Sequence, residues 1–202
     1  MKQRLVLPVL LSLLVGCANQ PVYPPAPAKA PSGFDWTYLL GPGDTVNVFV
    51  WGNPEVSGSF PIRPDGKLTM NLVEDLPAAG KTPTQLAREI EKNLAKYIQD
   101  PIVTVIVSGG VGPYSQQIRV LGEATKPQTL SYREKMSLID VMIAVGGITD
   151  FAAGNKATIL RVVDGKPQQF AVRLEDLLKN GDITANVEMM PGDVLIIPES
   201  WF

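Results

Sequence analysis

The chain has 202 residues, 45% of them hydrophobic, and a formal net charge of −2, a composition that allows one or two small globular domains. It contains no histidine, which excludes histidine-based catalytic triads, histidine general bases and histidine metal ligands within it. A single cysteine excludes an intrachain disulfide, and the lack of a basic excess argues against a nucleic-acid partner.

The N-terminal stretch has the pattern of a secretory signal. A basic start precedes an apolar run from Leu5 to Val15, which is shorter than the roughly 20 residues that span a bilayer. The run ends in Leu-Val-Gly before Cys17, which resembles the lipobox of bacterial lipoproteins. We therefore expect a signal peptide over residues 1–16 and a diacylglycerol on the sulfur of Cys17; a signal peptide with a chance cysteine is the alternative. Since no aspartate follows the cysteine, the bacterial sorting pattern indicates the outer membrane.

Residues 17–33 follow as a proline-rich segment with small residues between the prolines. Such a composition cannot build a core, and it predicts an extended, lipidated tether.

The first folded region, residues 34–108, opens with a turn and a strand. In Gly41-Pro42-Gly43-Asp44, proline presets one turn position, glycine accepts positive φ, and the aspartate can bind a nearby backbone N–H. The strand that follows alternates, with Val46, Val48 and Val50 on one face. Pro64-Asp65-Gly66 predicts a hairpin turn into a second alternating strand over residues 67–72.

A helix and a further strand complete this region. Thr82 is a good N-cap, with Pro83 at the first helical position and Gln85 completing a capping box. Ile102 to Val107 is almost continuously β-branched, which predicts a strand buried on both faces.

The second region, residues 114–198, follows a glycine-rich segment, 109–113, that indicates a linker. Its pattern predicts a strand that ends at Gly122-Glu123, a short return strand, and a helix from Ser137 that stops at Gly146-Gly147. A hairpin and a short helix come next, before Pro191-Gly192-Asp193 leads into the last strand. The chain is therefore expected to be α+β, with two small mixed domains, the second of them β-grasp-like.

The order of these motifs resembles bacterial outer-membrane polysaccharide export lipoproteins, which pair a polysaccharide export sequence domain with a soluble-ligand-binding β-grasp (SLBB) domain. The resemblance covers residues 38–198, and the ending Pro-Glu-Ser-Trp-Phe resembles the exosortase-associated subgroup. Glu123 to Gln128 departs from the family, which has a Pro-Gly turn there.

The resemblance implies a function without catalysis, without cofactors and without a metal. Copies of the chain would form a periplasmic ring at the outer membrane, through which exopolysaccharide or capsule passes. Its partners would be the polysaccharide and an inner-membrane copolymerase of the tyrosine-kinase type. Because only residues 199–202 follow the last domain, too few to cross about 30 Å of hydrocarbon, we expect a separate outer-membrane barrel to form the pore.

The individual residues permit other interpretations. Asp44, Asp65 and Asp193 could be catalytic carboxylates, but their Pro/Gly context favours a turn-forming role. Trp51 is expected to pack in the core or between subunits, although it could stack on sugar rings, as could Tyr114 and Trp201. Trp201 and Phe202 could dock onto a membrane interface or a partner. A glycan-binding lipoprotein that tethers polymer without conducting it is the alternative function, and an envelope hydrolase is the least favoured.

Overall fold

A computed structural model describes residues 23–200, so the expected signal peptide, Cys17 and the pair Trp201–Phe202 lie outside the described residues. The chain forms two mixed α+β domains, each with its own hydrophobic core, which confirms the expected fold class. The elements in chain order are β1 (Thr45–Val50), β2 (Gly58–Pro61), β3 (Lys67–Met70), β4 (Val73–Pro77), α1 (Pro83–Leu94), β5 (Val103–Gly109), β6 (Gln117–Gly122), β7 (Thr129–Ser131), α2 (Leu138–Val145), β8 (Thr158–Val163), β9 (Lys166–Ala171), α3 (Leu174–Leu178) and β10 (Val194–Ile197).

The first domain is built on an antiparallel sheet in the order β2-β1-β5. The alternation predicted for β1 is confirmed, since its three valines point inward and are buried. Helix α1 packs on that inner side through Leu86, Ile90 and Leu94. The predicted capping box is also confirmed, because Thr82 and Gln85 each accept a hydrogen bond from the other's backbone N–H.

The opposite side of this sheet, which we call the outer face, is open in the single chain. The predicted burial of β5 on both faces is wrong, since Val103 and Val105 are buried while Ile102 and Ile106 are exposed. The reason is that α1 covers only one side of the sheet. The outer face contains ten residues, none of them charged: Thr45, Asn47, Phe49, Trp51, Ser59, Pro61, Ile102, Thr104, Ile106 and Ser108.

The turn at Pro64-Asp65-Gly66 joins β2 to β3, but these strands do not form one hairpin as predicted. Strand β3 pairs instead with β4, a strand that the sequence pattern did not indicate, in a separate two-stranded sheet. The register between them shifts at a bulge, and Leu72 and Asp75 adopt positive φ beside it. The predicted alternation holds for Leu68 and Met70, which are buried, but it is wrong for Leu72, which lies beyond the end of β3 and is exposed.

The second domain is a five-stranded mixed sheet in the order β7-β6-β10-β8-β9. Its last strand in sequence, β10, lies in the centre, parallel to β6 and antiparallel to β8. Helix α2 begins at the predicted cap Ser137 and ends at Gly146, which has positive φ. Its buried residues, Leu138, Val141, Met142 and Val145, pack into the core of this domain.

The described part of the proline-rich segment, residues 23–33, lies along the second domain, with a bend at residues 28–29 and a turn at residues 32–33. Ala26 donates to the carbonyl of Ala171 at the end of β9, and Ala171 donates to that of Pro24. Further along, Ala30 donates to the side chain of Glu188. Residues 23–33 are thus held against the second domain by hydrogen bonds that satisfy part of an otherwise open sheet edge. The expected extended tether stays a prediction for residues 17–22, which lie outside the described residues.

Candidate functional site

The first motif turn is organised by one buried carboxylate. Asp44 is fully buried, and its Oδ2 accepts hydrogen bonds from the backbone N–H of Gly41 at 2.8 Å and from the hydroxyl of Tyr38 at 2.6 Å. Its Oδ1 accepts from the backbone N–H groups of Val111 and Gly112, at 2.7 and 2.9 Å. Four donors thus compensate the carboxylate for its lost hydration. Asp44 therefore joins the opening turn to the segment that follows the first domain.

The surroundings of Asp44 are closely packed. Burial, followed by the hydrogen bond and the charge of Asp44, raises the pKa of Tyr38 far above its ordinary value, so this phenol stays protonated and donates. A Cβ on Gly41 would lie 2.3 Å from the carbonyl carbon of Gly112. Only glycine permits this approach of two backbone segments.

The second motif turn also contains a buried aspartate, but this one has a cationic partner. Asp193 is fully buried, and Arg161 pairs with it through two parallel hydrogen bonds of 2.9 and 2.7 Å. Arg161 also donates to the carbonyl of Glu188 and lies over the ring of Phe170. Burial raises the pKa of Asp193, although the guanidinium opposes this shift. The pair is satisfied on both sides, as a buried ion pair requires.

Both turns contact the segment 109–117, which we call the joint. The first turn binds it through Asp44, and in the second a Cβ on Gly192 would lie 2.8 Å from the carbonyl oxygen of Ser115. Within the joint, Gln117 donates to the carbonyl of Gly112, and Gln116 donates to that of Thr37. The stretch 109–113, which was interpreted as a linker, is therefore held in place between the two domains by these contacts.

The remaining motif residues occupy separate turns and do not converge on one place. Asp65 accepts from Lys67 N and pairs with Arg63 at the surface, while Gly66 adopts positive φ. Gly122 also has positive φ, and a Cβ there would lie 2.0 Å from the carbonyl oxygen of Ile197. Gly146 ends α2, and the backbone N–H of Gly147 donates to the carbonyl of Met142 in that helix. The carboxylate of Glu123 accepts a hydrogen bond from the hydroxyl of Thr149, just beyond the end of α2.

A cavity of about 710 Å³ lies where the docked N-terminal segment meets the second domain. Its lining combines aromatic residues, Phe34, Trp36 and Phe170, with charged ones that include Lys29 and Asp35. This volume falls within the range of small-molecule pockets, which place a few polar groups in an apolar lining. The cavity therefore has the size and the lining to hold a small polar ligand.

Over residues 23–200, no cluster of three or more histidine, cysteine, aspartate or glutamate side chains is suited to hold a metal ion. Helices long and apolar enough to cross a membrane are likewise lacking within that range.

Tyr38 and Arg161 are the residues of these turns that the sequence analysis missed. Tyr38 stands six residues before Asp44, and no local pattern pairs its phenol with that carboxylate. Arg161 stands on β8, and its alternation with buried apolar neighbours was the available signal, because a charged residue at an inward position needs a partner. Trp51 is 69% exposed, so its expected core packing is wrong, while the alternative of packing between subunits stays a prediction.

Two family profiles match consecutive parts of the chain. The family described as "Polysaccharide biosynthesis/export protein" matches residues 33–108, and the family described as "SLBB domain" matches residues 116–197. The first matched range ends just before the joint, and the second begins within it, at residue 116.

Several curated proteins are similar to the chain. It is 26% identical over 187 residues to the EPS I polysaccharide export outer membrane protein EpsA of Ralstonia nicotianae. That match covers 80% of this chain and 47% of EpsA. It is 25% identical over 172 residues to the polysialic acid transport protein KpsD of Escherichia coli, covering 85% and 30%. A third match, the exopolysaccharide production protein ExoF of Rhizobium meliloti, is 28% identical over 123 residues, covering 55% and 28%. The chain thus spans less than half the length of these relatives.

Proposed function

The chain belongs to the polysaccharide export protein family, and from this premise we propose that it is a non-enzymatic component of exopolysaccharide or capsule export at the outer membrane. In this proposal, copies of the chain form a lipid-anchored ring on the periplasmic face that guides polysaccharide outward. An inner-membrane copolymerase of the tyrosine-kinase type would deliver the polymer, and a separate outer-membrane barrel would complete its path. Membership of the exosortase-associated subgroup stays a prediction.

The observation that carries this proposal is the ordered pair of domains, the export domain over residues 33–108 and the SLBB domain over residues 116–197. EpsA and KpsD, which are named as export and transport proteins, match the chain across both domains. The rigid connection at the joint supports a role that uses the two domains as one unit.

The environment of the two motif aspartates supports a function without catalysis. Asp44 and Asp193 are both fully buried, and every oxygen of their carboxylates accepts at least one hydrogen bond. A general acid or base must reach the proton that it transfers. These carboxylates are instead committed to holding turns.

Size and exposure support assembly. A domain of about 75 residues buries only roughly 60–65% of the surface of its unfolded chain, and contact with further copies would cover more of it. The membrane anchor proposed at Cys17 would hold such copies in one layer. Replacing it, Cys17→Ala, should leave an unlipidated protein that is missing from the outer-membrane fraction, while an unchanged distribution between fractions would refute the anchor.

The experiment that tests the function is deletion of the gene followed by location of the polymer. We expect polymer to be retained inside the cell and surface polymer to be lost, with both restored by the wild-type gene on a plasmid. Normal surface polymer in the deletion strain would refute the export role.

The cavity at the N-terminal segment favours a second candidate, a glycan-binding lipoprotein that tethers polymer. Its aromatic and polar lining suits a sugar, which presents apolar ring faces and hydroxyl groups. If this candidate is correct, the purified protein should be monomeric and should bind fragments of the polymer in calorimetry, and deletion should loosen surface polymer without trapping it inside.

A further inference from the structure

We propose that the outer face of the β2-β1-β5 sheet is a contact surface for a second copy of this chain. This inference rests on the proposed ring, and it adds the surface through which the copies meet. Its centre is formed by Phe49, Trp51, Ile102 and Ile106, which are between 51% and 69% exposed in the single chain.

The composition of this surface differs from that of the chain as a whole. Charged residues make up 19% of the chain, yet all ten outward positions of these strands carry uncharged residues. The other six are small polar or proline residues, such as Asn47 and Thr104. Depletion of charge together with enrichment of aromatic residues characterises the buried centre of protein interfaces.

The size of the apolar centre fits an interface. With about 200 Å² for a large aromatic side chain, the exposed fractions of Phe49 and Trp51 correspond to about 240 Å² of apolar surface. The two isoleucines bring the centre to roughly 400 Å², within the range of the largest, often functional patches on monomers. A standard interface buries about 800 Å² on each partner, so the full outer face with its neutral rim approaches what one partner must supply.

The sequence of β5 supports the same conclusion. Its nearly continuous β-branched residues are typical of a strand with both faces buried, whereas the single chain covers only the face under α1. A second copy on the outer face would bury the outward side chains of β5, so that both faces of the strand are covered, as its composition predicts.

A sugar polymer is the other macromolecule to weigh, and the outer face suits it less well. Sugar hydroxyls that leave water need hydrogen-bonding partners, but the face contains neither a carboxylate nor a guanidinium group, and its polar side chains are one amide and four short hydroxyl groups around an apolar centre. The rings of Phe49 and Trp51 are inclined by 75° to each other with their centroids 6.3 Å apart. They therefore form an edge-to-face pair and not a level platform for successive sugar rings.

The test uses the full-length lipidated protein in mild detergent, diluted stepwise while its mass is followed by light scattering. The double variant Phe49→Ala/Trp51→Ala and the single variant Ile106→Lys should each raise the concentration of half-dissociation roughly thirtyfold or more, the effect of losing a central interface contact. The matched control is Ile183→Lys, which places the same charge on an isoleucine that is 67% exposed in the second domain. It should leave the midpoint within about threefold of the wild type, as is typical of surface substitutions. Circular dichroism should show all variants folded, since the replaced side chains are exposed in the single chain.

The outcomes separate this inference from the proposed function. An assembling wild type whose outer-face variants keep the same midpoint would overturn the contact surface and leave the ring intact. A wild type that stays monomeric at every concentration would overturn the ring and the contact surface together. Variants that assemble normally but lose binding to the purified polymer would overturn the second copy as occupant in favour of polysaccharide.

Discussion

The substitution Asp44→Asn tests whether the buried carboxylate holds the opening turn to the joint. The asparagine oxygen can still accept from Val111 and Gly112, but its NH₂ group then faces the N–H of Gly41, which loses its acceptor. An unsatisfied buried N–H costs about 1–3 kcal/mol, and exchanging bonds to a charged acceptor for bonds to a neutral one costs about 1 kcal/mol more. We therefore expect a loss of about 3 kcal/mol in the free energy of unfolding, out of the roughly 5–15 kcal/mol that such a chain possesses.

The matched control is Asp65→Asn, the aspartate of the other turn in the same domain. Asp65 binds Lys67 N and Arg63 at the surface, where such contacts contribute about 0–1 kcal/mol. Urea unfolding followed by circular dichroism gives both free energies, and hydrogen exchange at the amide of Gly112 shows whether the joint is released. Equal destabilisation by the two substitutions, with unchanged protection of that amide, would refute the reasoning.

Two further predictions concern the hydrogen bond of Tyr38 to Asp44 and the close approach of Gly122 to Ile197. The pKa of Tyr38 in the folded protein is raised above its ordinary value of 10.0. As the pH rises past 10, the unfolded state therefore loses the phenol proton before the folded state does. The phenol adds its full stability below pH 10, and this contribution is lost as the pH increases above that value. Tyr38→Phe should cost about 1 kcal/mol at neutral pH and should flatten the alkaline limb of a plot of stability against pH, and an unchanged limb would contradict this. Gly122→Ala should destabilise the second domain by more than about 2 kcal/mol, because its Cβ would meet the carbonyl oxygen of Ile197 at 2.0 Å in addition to the strain of positive φ. Gly165→Ala, with similar φ but open space around it, should cost only about 1 kcal/mol, and equal thermal shifts for the two glycine variants would contradict the steric argument.

Local signals predicted the elements whose residues interact with near neighbours. The alternation of valines located β1 and its buried face, and the capping box located the start of α1 at Thr82. Ser137 and Gly146 likewise marked the two ends of α2. Each of these signals acts within about four residues, so a single sequence contains all of it.

The sequence could not show contacts between distant parts of the chain. Strand β4 was missed because Glu74 and Asp75 interrupt its apolar pattern and Asp75 adopts positive φ. Residues 109–113 resembled a linker because their glycines are visible in the sequence, whereas the carboxylate that binds Val111 and Gly112 is that of Asp44, 67 and 68 residues earlier. The burial predicted for the second face of β5 was wrong because α1 covers only one side of the sheet, a packing arrangement that the strand's own residues do not reveal.

The same limit applied to the docked N-terminal segment. Its prolines predicted extended backbone, whereas the described part bends at residues 28–29 and turns at residues 32–33. Nothing local to the prolines identifies Ala171 on β9 as the hydrogen-bonding partner of Pro24 and Ala26. Composition thus did not predict where the segment lies.

The most direct test of the account is the distribution of polysaccharide in a deletion strain that carries the wild-type gene, Asp44→Asn or Asp65→Asn. The polymer is measured separately in the periplasmic extract and in the medium. If export depends on two domains held as one unit, the wild-type and Asp65→Asn genes should restore polymer to the medium, while Asp44→Asn should leave a larger share in the periplasm. Full secretion without any copy of the gene would contradict the central claim that this chain acts in polysaccharide export.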